Sequence, residues 1–308
     1  GCILGPLLFN VFINDLFLFI EKCILYNYAD DNSLSRSSKS LADVISSLEH
    51  DGNICINLFV ANGMQTNPVK FQFMLMSLLK LSPQSITLGN DTVLTSESQV
   101  KALGVMIDSN LNFSSHVSNI CKKAARQLNA LSRISKFIDT RSKTIVYNSF
   151  IASNFTYCPL VWHFCGKINN GKIDKIQERS LKIIYKDYES TYDQLLDKAS
   201  ASDVLTMRLR SLTLEVFKSL THRNTPCYTQ MFQTKRVNYS MRHPYLLLQP
   251  QRRTTTHGLR SISYIGAKIW NNLPLELNSI KDMSIDEFKN LLKTWRGPDI
   301  NTSLCPYV

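Results

Sequence analysis

The hydrophobic period of this chain changes at Ser114, and that change limits the fold more than any other feature. Before it, apolar residues gather in short β-branched and aromatic runs: 23–28, Phe71–Ser77, Ser85–Leu94 with Gly89-Asn90-Asp91 at its centre, and Val100–Ile107. Such runs bounded by Gly, Asn and Asp read as strands and hairpins. After it, Val117, Ile120, Cys121, Ala124, Leu128, Leu131 and Ile134 recur near every 3.6 residues, the spacing of one long amphipathic helix. Further helices are expected at about 140–153, 170–186 and 202–222. Ser284 and Glu287 form a capping box for a last helix through Trp295, stopped by Arg296-Gly297-Pro298. Helices also belong to the first part: Pro6 opens one toward Ile20, and Ser40 caps another whose stripe is Leu41, Val44, Ile45 and Leu48. Strands concentrated early and helices late predict an α+β chain. Residues 227–282 are mixed, with Tyr245–Leu248 as a short strand-like piece.

Charge follows the same division. The net charge is +11 over 308 residues, a prior for a polyanionic partner. Residues 1–100 carry five basic side chains against nine acidic ones, whereas residues 121–186 carry thirteen basic ones against Asp139, Asp174 and Glu178. An acidic front before a basic middle suits a metal site beside a surface that grips phosphates.

The eight cysteines are scattered without zinc-type C-x-x-C spacing, and nothing in their placement suggests a disulfide scaffold, which favours a reducing compartment. Cys158, His163 and Cys165 come nearest to a ligand cluster, but Leu160, Val161, Trp162 and Phe164 among them favour a buried apolar segment. Residues 3–20 are apolar but interrupted by Gly5-Pro6, Asn10, Asn14 and Asp15, which argues against a membrane span.

Two adjacent carboxylates stand at the first turn signal, in Tyr28-Ala29-Asp30-Asp31. Asp is common in hydrated turns, so the pair alone is weak evidence. Held between two strands, however, the carboxylates would offer oxygen ligands suited to Mg2+, which binds one or two carboxylates plus substrate phosphates.

The flanking residues carry a resemblance. Gly1-Cys2-Ile3-Leu4-Gly5-Pro6-Leu7-Leu8-Phe9 and Ile13-Asn14-Asp15-Leu16 precede the turn. Asn62-Gly63-Met64, Asn67-Pro68-Val69-Lys70, Leu103-Gly104-Val105, Asp108, Leu111, Phe113 and His116 follow it in order. Together they resemble the reverse transcriptases of non-LTR (LINE-type) retrotransposons. Tyr157-Cys158-Pro159-Leu160-Val161-Trp162, Lys175-Ile176-Gln177-Glu178-Arg179 and Ile269-Trp270-Asn271-Asn272-Leu273-Pro274 are similar to the C-terminal portion of such elements.

The resemblance implies a partial polymerase palm over 1–112, a helical basic thumb over 113–195 and a C-terminal region of unassigned role over 196–308. It implies an RNA-directed DNA polymerase working by two-metal nucleotidyl transfer with Mg2+, or Mn2+ in its place. Asp30 matches the metal ligand of the turn, Asp31 its weaker neighbour, and Tyr28 the residue near the primer end. Gly1, Leu4, Gly5 and Pro6 match the loop and helix start beside the template–primer pair. Lys70 matches the lysine proposed to protonate leaving pyrophosphate, although a solvated turn lysine fits its spacing equally. Leu103 and Gly104 match the hairpin that grips the primer, and Lys122, Lys123 and Arg126 would contact phosphates from the thumb. The implied partners are an RNA template, a DNA primer and dNTP, inside the cell and in the nucleus at the site of action.

Departures temper this. Val69 stands where the family places an acidic residue and Leu58 where it places tryptophan, and Cys305 alone remains of a terminal cysteine cluster. The resemblance also places the other metal-binding aspartate upstream of Gly1. The chain is therefore expected to be a C-terminal fragment, inactive by itself, and its metal to need that missing aspartate. The competing reading is a decayed or reused remnant that binds nucleic acid without catalysis. A group II intron maturase or telomerase-like protein fits the quoted blocks less well.

Overall fold

The computed structural model describes residues 3–79, 81–89, 91–235, 245–251, 254, 258–278 and 283–297. The chain divides into two compact units, Gly1–Leu111 and Asn112–Val308.

The first unit opens with helices α1 (Gly5–Ile13) and α2 (Leu16–Phe19), where the sequence predicts one helix to Ile20. Strands β1 (Ile24–Tyr28) and β2 (Asp31–Ser35) follow as an antiparallel hairpin, then helix α3 (Leu41–Ala61). Ser40 caps α3 by accepting from the Asp43 N–H. Gly52 lies buried inside α3. A Cβ there would come 2.6 Å from Leu88 Cδ2, so the missing side chain is what admits the next hairpin.

That hairpin pairs β3 (Ser85–Leu88) with β4 (Thr92–Thr95). A third pairs β5 (Gln99–Ala102) with β6 (Val105–Asp108). Val100–Ile107 is thus two strands and not one. Leu103 (φ 45°) and Gly104 (φ 86°) are both left-handed, the pattern of a two-residue type I′ turn. Phe71–Ser77 joins no ladder, although Phe73 is buried and its carbonyl accepts from the Glu97 N–H. A buried apolar run looks alike whether or not a strand lies beside it to pair with.

The second unit is helical among its described residues: α4 (Ser114–Ile134), α5 (Thr140–Val146), α6 (Ser153–Thr156), α7 (Lys167–Tyr185), α8 (Tyr192–Ala199), α9 (Val204–Leu220), α10 (Pro226–Thr229), α11 (Ile262–Asn271), α12 (Leu275–Asn278) and α13 (Ile285–Thr294). A π-turn, Tyr147–Ala152, joins α5 to α6. α13 carries the expected capping box between Ser284 and Glu287. Tyr245–Leu248 yields only an isolated bridge, Thr234 to Leu247.

The principal core of this unit lies between α9, α11 and α13. Val216 and Phe217 meet Trp270 and Phe288, with Phe217 and Phe288 stacked at 4.1 Å between ring centroids. Gly266 on α11 lets that helix close: a Cβ would sit 2.7 Å from Phe232 Cε1 and 3.0 Å from Val216 Cγ2. Chains with short antiparallel hairpins in one unit and packed helices in the other are α+β, as the sequence predicts.

Candidate active-site turn and nucleic-acid interface

The β1–β2 hairpin has two unlike faces. Leu25 and Leu34 pair across it and pack with Ile13, Leu16 and Cys55, so α1, α2 and α3 support one face. Ile24, Tyr26 and Tyr28 point the other way and are 61%, 57% and 68% exposed. Strand alternation puts Asp31, which pairs with Tyr28, on that exposed face.

Ala29 and Asp30 are the two turn residues. Ala29 has φ 53°, and Asp30 is not left-handed, the sign pattern of a type II′ turn. Glycine usually occupies the first position because a Cβ there meets the following carbonyl, at roughly 1–2 kcal/mol.

An amide pair holds this strained turn. Asn27 Nδ2 donates to the Ala29 carbonyl at 3.0 Å and to Asn32 Oδ1 at 2.7 Å. Asn32 Nδ2 donates in turn to the Asp30 carbonyl at 3.3 Å. With the backbone carbonyls so occupied, the Asp30 and Asp31 carboxylates remain exposed, with no hydrogen bond or ion pair to any described residue.

The base of the hairpin is anchored to α3. The fully buried Asp51 carboxylate accepts from the backbone N–H of Lys22 and of Cys23 at 2.9 and 2.6 Å, and from His50 Nδ1 at 2.9 Å. Burial pushes its pKa upward, but the bonds from His50, Cys23 and Lys22 outweigh burial and leave it below the ordinary value. Arg36, just past β2, donates to the Lys22 carbonyl and pairs with Asp43 at 2.9 Å.

The other expected site residues are more dispersed. Leu4, Gly5 and Pro6 form the exposed start of α1, while Gly1 lies outside the described residues. Lys70 ends a 3-10 turn capped by Asn67, and its exposed ammonium makes no bond to a described residue. Leu103 and Gly104 form the exposed β5–β6 turn. Lys122, Lys123 and Arg126 lie exposed on α4, in the second unit. Of the thirteen basic residues in 121–186, Lys143 is withdrawn from the surface. It is buried and donates to the Ile184 carbonyl in the last turn of α7, where the helix dipole favours a cation.

Trp162, His163 and Cys165 are buried, and the Cys165 thiol donates to Asn170 Oδ1. Arg208 (2% exposed) lies 4.8 Å from the Trp162 ring centroid and donates to Asn170 Oδ1. The segment therefore serves as an aromatic and hydrogen-bonded lock on α9.

Residues 1–107 match the family model described as reverse transcriptase (RNA-dependent DNA polymerase). Over that stretch the chain is similar to reverse transcriptases, in keeping with the resemblance to those of non-LTR retrotransposons. It is 28% identical over 195 residues to a protein of Drosophila melanogaster named probable RNA-directed DNA polymerase from transposon BS. That match covers 60% of this chain, and the chain spans about a fifth (22%) of the relative's length. No solved structure matches it.

Reverse transcriptases in general work with divalent metal on a nucleic-acid template and primer. The exposed, unpaired carboxylates at the end of a braced hairpin fit a hydrated divalent ion that takes one or two protein oxygens. Among the described residues no three His, Cys, Asp or Glu side chains gather into a fuller cage. Nor is any described helix of the chain long and apolar enough to cross a membrane.

Asn27, Asn32 and Asp51 are the positions that sequence reasoning passes over. A signal exists for the first two, since Asn flanks the turn symmetrically in Asn27-Tyr28-Ala29-Asp30-Asp31-Asn32. Asp51, inside an apolar helix pattern, reads as one more surface acid until its backbone partners are known.

Proposed function

We propose that this chain contributes the metal-binding turn and the primer side of an RNA-directed DNA polymerase. Asp30 is the principal ligand of Mg2+, or of Mn2+ in its place, with Asp31 assisting. The observation that carries this reading is the braced turn, which presents two unpaired carboxylates within the family-matched segment. When bound, the ions lower the pKa of an attacking hydroxyl and offset charge on leaving pyrophosphate.

The residues of this chain have simpler tasks. The Asn27–Asn32 pair fixes where the carboxylates sit. Tyr28, beside Asp31 on the exposed face, supports the primer end, with the backbone of Leu4, Gly5 and Pro6 close to the template–primer pair and the Leu103-Gly104 turn against the primer. Lys70 supplies a proton to pyrophosphate. Lys122, Lys123 and Arg126 on α4 hold phosphates without reading sequence. Residues 1–112 then serve as part of a palm and residues 113–195 as a thumb, residues 196–308 carry no assigned role, and the substrates are RNA template, DNA primer and dNTP.

The test is paramagnetic relaxation by Mn2+ in the folded chain. Because the resemblance places a further ligand upstream of Gly1, the turn alone should bind weakly: amide signals of residues 28–32 should broaden selectively as Mn2+ is titrated, and Asp30→Asn should abolish that selectivity. Uniform broadening, or broadening unchanged by Asp30→Asn, would overturn the assignment.

A further inference from the structure

The segment between β2 and α3, Arg36-Ser37-Ser38-Lys39-Ser40, is exposed throughout and lies outside any strand or helix. It has no apolar side chain to pack, so polar bonds alone place it. Those bonds converge on one carboxylate. Arg36 donates to Asp43 Oδ2 through Nε at 3.3 Å and through Nη2 at 2.9 Å, and its Nη1 donates to the Lys22 carbonyl at 2.8 Å. Ser38 Oγ accepts from the Ser40 N–H at 3.2 Å, and the Ser38 hydroxyl also bonds Asp43.

Arg36 therefore has a structural task. It follows β2, Lys22 precedes β1, and Asp43 lies in the first turn of α3. One guanidinium ties the base of the hairpin to the helix. Its ion pair is partly exposed, and pairs of that kind are weak. Both of its bonds to Asp43 also fall on a single oxygen, short of the two-oxygen fork that guanidinium favours. A stronger anion within reach of Asp43 would take Arg36 from it.

Ser38 is where such an anion can be made. Ser35 is paired in β2 opposite Ile24. Ser40 uses its hydroxyl to cap α3, and the helix follows at once. Within the segment Ser38 combines a non-helical setting with a hydroxyl on Asp43, and it has Arg36 two residues before it and Lys39 directly after.

We propose that Ser38 is a phosphorylation site for a serine kinase that reads adjacent basic residues, and that its phosphate draws Arg36 from Asp43 and loosens the hairpin base on α3. The kinase supplies the γ-phosphoryl group of ATP. The bond from Ser38 Oγ to phosphorus forms as the bond to the bridging oxygen breaks, ADP leaves, and the hydroxyl proton passes to the base of the kinase. The product carries about −1.5 to −2 charges at neutral pH. It offers Arg36 a two-oxygen partner and repels Asp43. Arg36 then bonds within its own loop and no longer reaches α3. Asp51 still holds the Lys22 and Cys23 N–H groups, so the hairpin loosens without detaching. The hairpin ends in the Asp30-Asp31 turn, whose position thus becomes subject to phosphorylation. None of this requires metal at the turn.

The experiment incubates the full chain with ATP and an arginine-directed serine kinase, and locates phosphate by mass spectrometry. Ser38 should be the main acceptor. S38A should abolish that modification, S37A should leave it, and R36Q should slow it about tenfold. Phosphate mainly on another serine, or an R36Q rate equal to that of the parent, overturns the site.

Hydrogen exchange then tests the switch. Loss of an exposed ion pair corresponds to a change of about twofold to fivefold. Amides of residues 22–28 and 31–36 should exchange faster by that factor in the phosphorylated chain, while the interior of α3 stays as protected as before. D43N, without phosphate, should show the same faster exchange, and phosphorylating it should add little. Unchanged exchange on phosphorylation overturns the switch. An equal further gain in D43N overturns the route through Arg36 and Asp43. The phosphate effect, taken against the unmodified chain at each pH, should also grow between pH 5 and 7.5, because the second ionisation of phosphoserine lies near about 6. An effect equal at both ends means that bulk and not charge disturbs the loop, and overturns the mechanism.

Discussion

The Asn27 side chain donates to Asn32 Oδ1 across the β1–β2 hairpin at 2.7 Å, directly beneath the turn that carries Asp30. Because each amide also holds a turn carbonyl, the pair fixes backbone geometry that Ala29 alone does not favour. Asn27→Ala removes two hydrogen bonds and should destabilise the hairpin by about 1–2 kcal/mol. Amide exchange of residues 28–32 would quicken well before the rest of the unit. Equal protection in the variant would show that the brace is idle. Asn32→Ala should give a similar loss, and the double variant less than the sum, because the two share a bond.

Ala29 tests the strain itself. At φ 53°, glycine adopts the turn without meeting the next carbonyl, whereas a β-branched side chain adds to the conflict. Ala29→Gly should therefore leave stability level or raise it by up to about 1 kcal/mol. Ala29→Val should lower it by roughly 1–3 kcal/mol, read as a urea midpoint. A more stable Val variant would mean that the turn is not left-handed in solution.

Much of the fold can be read from local pattern. The helix stripe from Val117 to Ile134 shows the 3.6-residue period, and Ser40 and Ser284 mark their helices through cap chemistry. Other elements needed information that no local window holds. Phe71–Ser77 is largely apolar and buries Phe73, yet without a pairing neighbour it is no strand. Leu103-Gly104 splits one apparent strand because two left-handed residues reverse the chain there. The missed helix α8 carries a full capping box, Thr191 with Gln194, but only eight residues of periodicity behind it. At the turn, residue identity revealed the carboxylates. It did not reveal the anchoring of the hairpin through Asp51, because that depends on backbone N–H groups 28 and 29 residues away.

Asp51 makes that anchorage measurable. Asp51→Asn keeps the size but replaces a charged acceptor of three bonds, and should destabilise the first unit by about 2–4 kcal/mol. The Asp51 pKa is lowered in the folded state. Its contribution is thus complete above the ordinary carboxylate value and is lost as pH falls through the lowered folded value. Urea unfolding followed by signals of the hairpin should show this acid limb in the parent chain and a flatter one in Asp51→Asn. An equally steep limb in the variant would assign the acid sensitivity to other groups.

The second unit holds two groups, the half-buried Asp174 and the buried His163, whose titrations oppose each other. Burial, with Asp203 nearby, raises Asp174 from 3.8 to about 6 against the pull of Arg208. Its folded state therefore binds the proton more tightly, and stability falls as pH rises from about 4 to 6. Burial and the charge of Arg208 lower His163 from 6.5 to about 3. Here the unfolded state binds more protons, so stability falls as pH drops below 6.5. Between pH 4 and 6 the two effects offset, and the parent unit should show a shallow pH profile. Asp174→Asn removes only the first. It should raise stability at pH 7 by about 1–3 kcal/mol, allowing for partial solvent screening. The same variant should expose a stability that declines steadily as pH falls below 6.5, through the unpaired titration of His163. If Asp174→Asn leaves the profile as shallow as before, His163 is not held neutral behind Arg208 and Trp162.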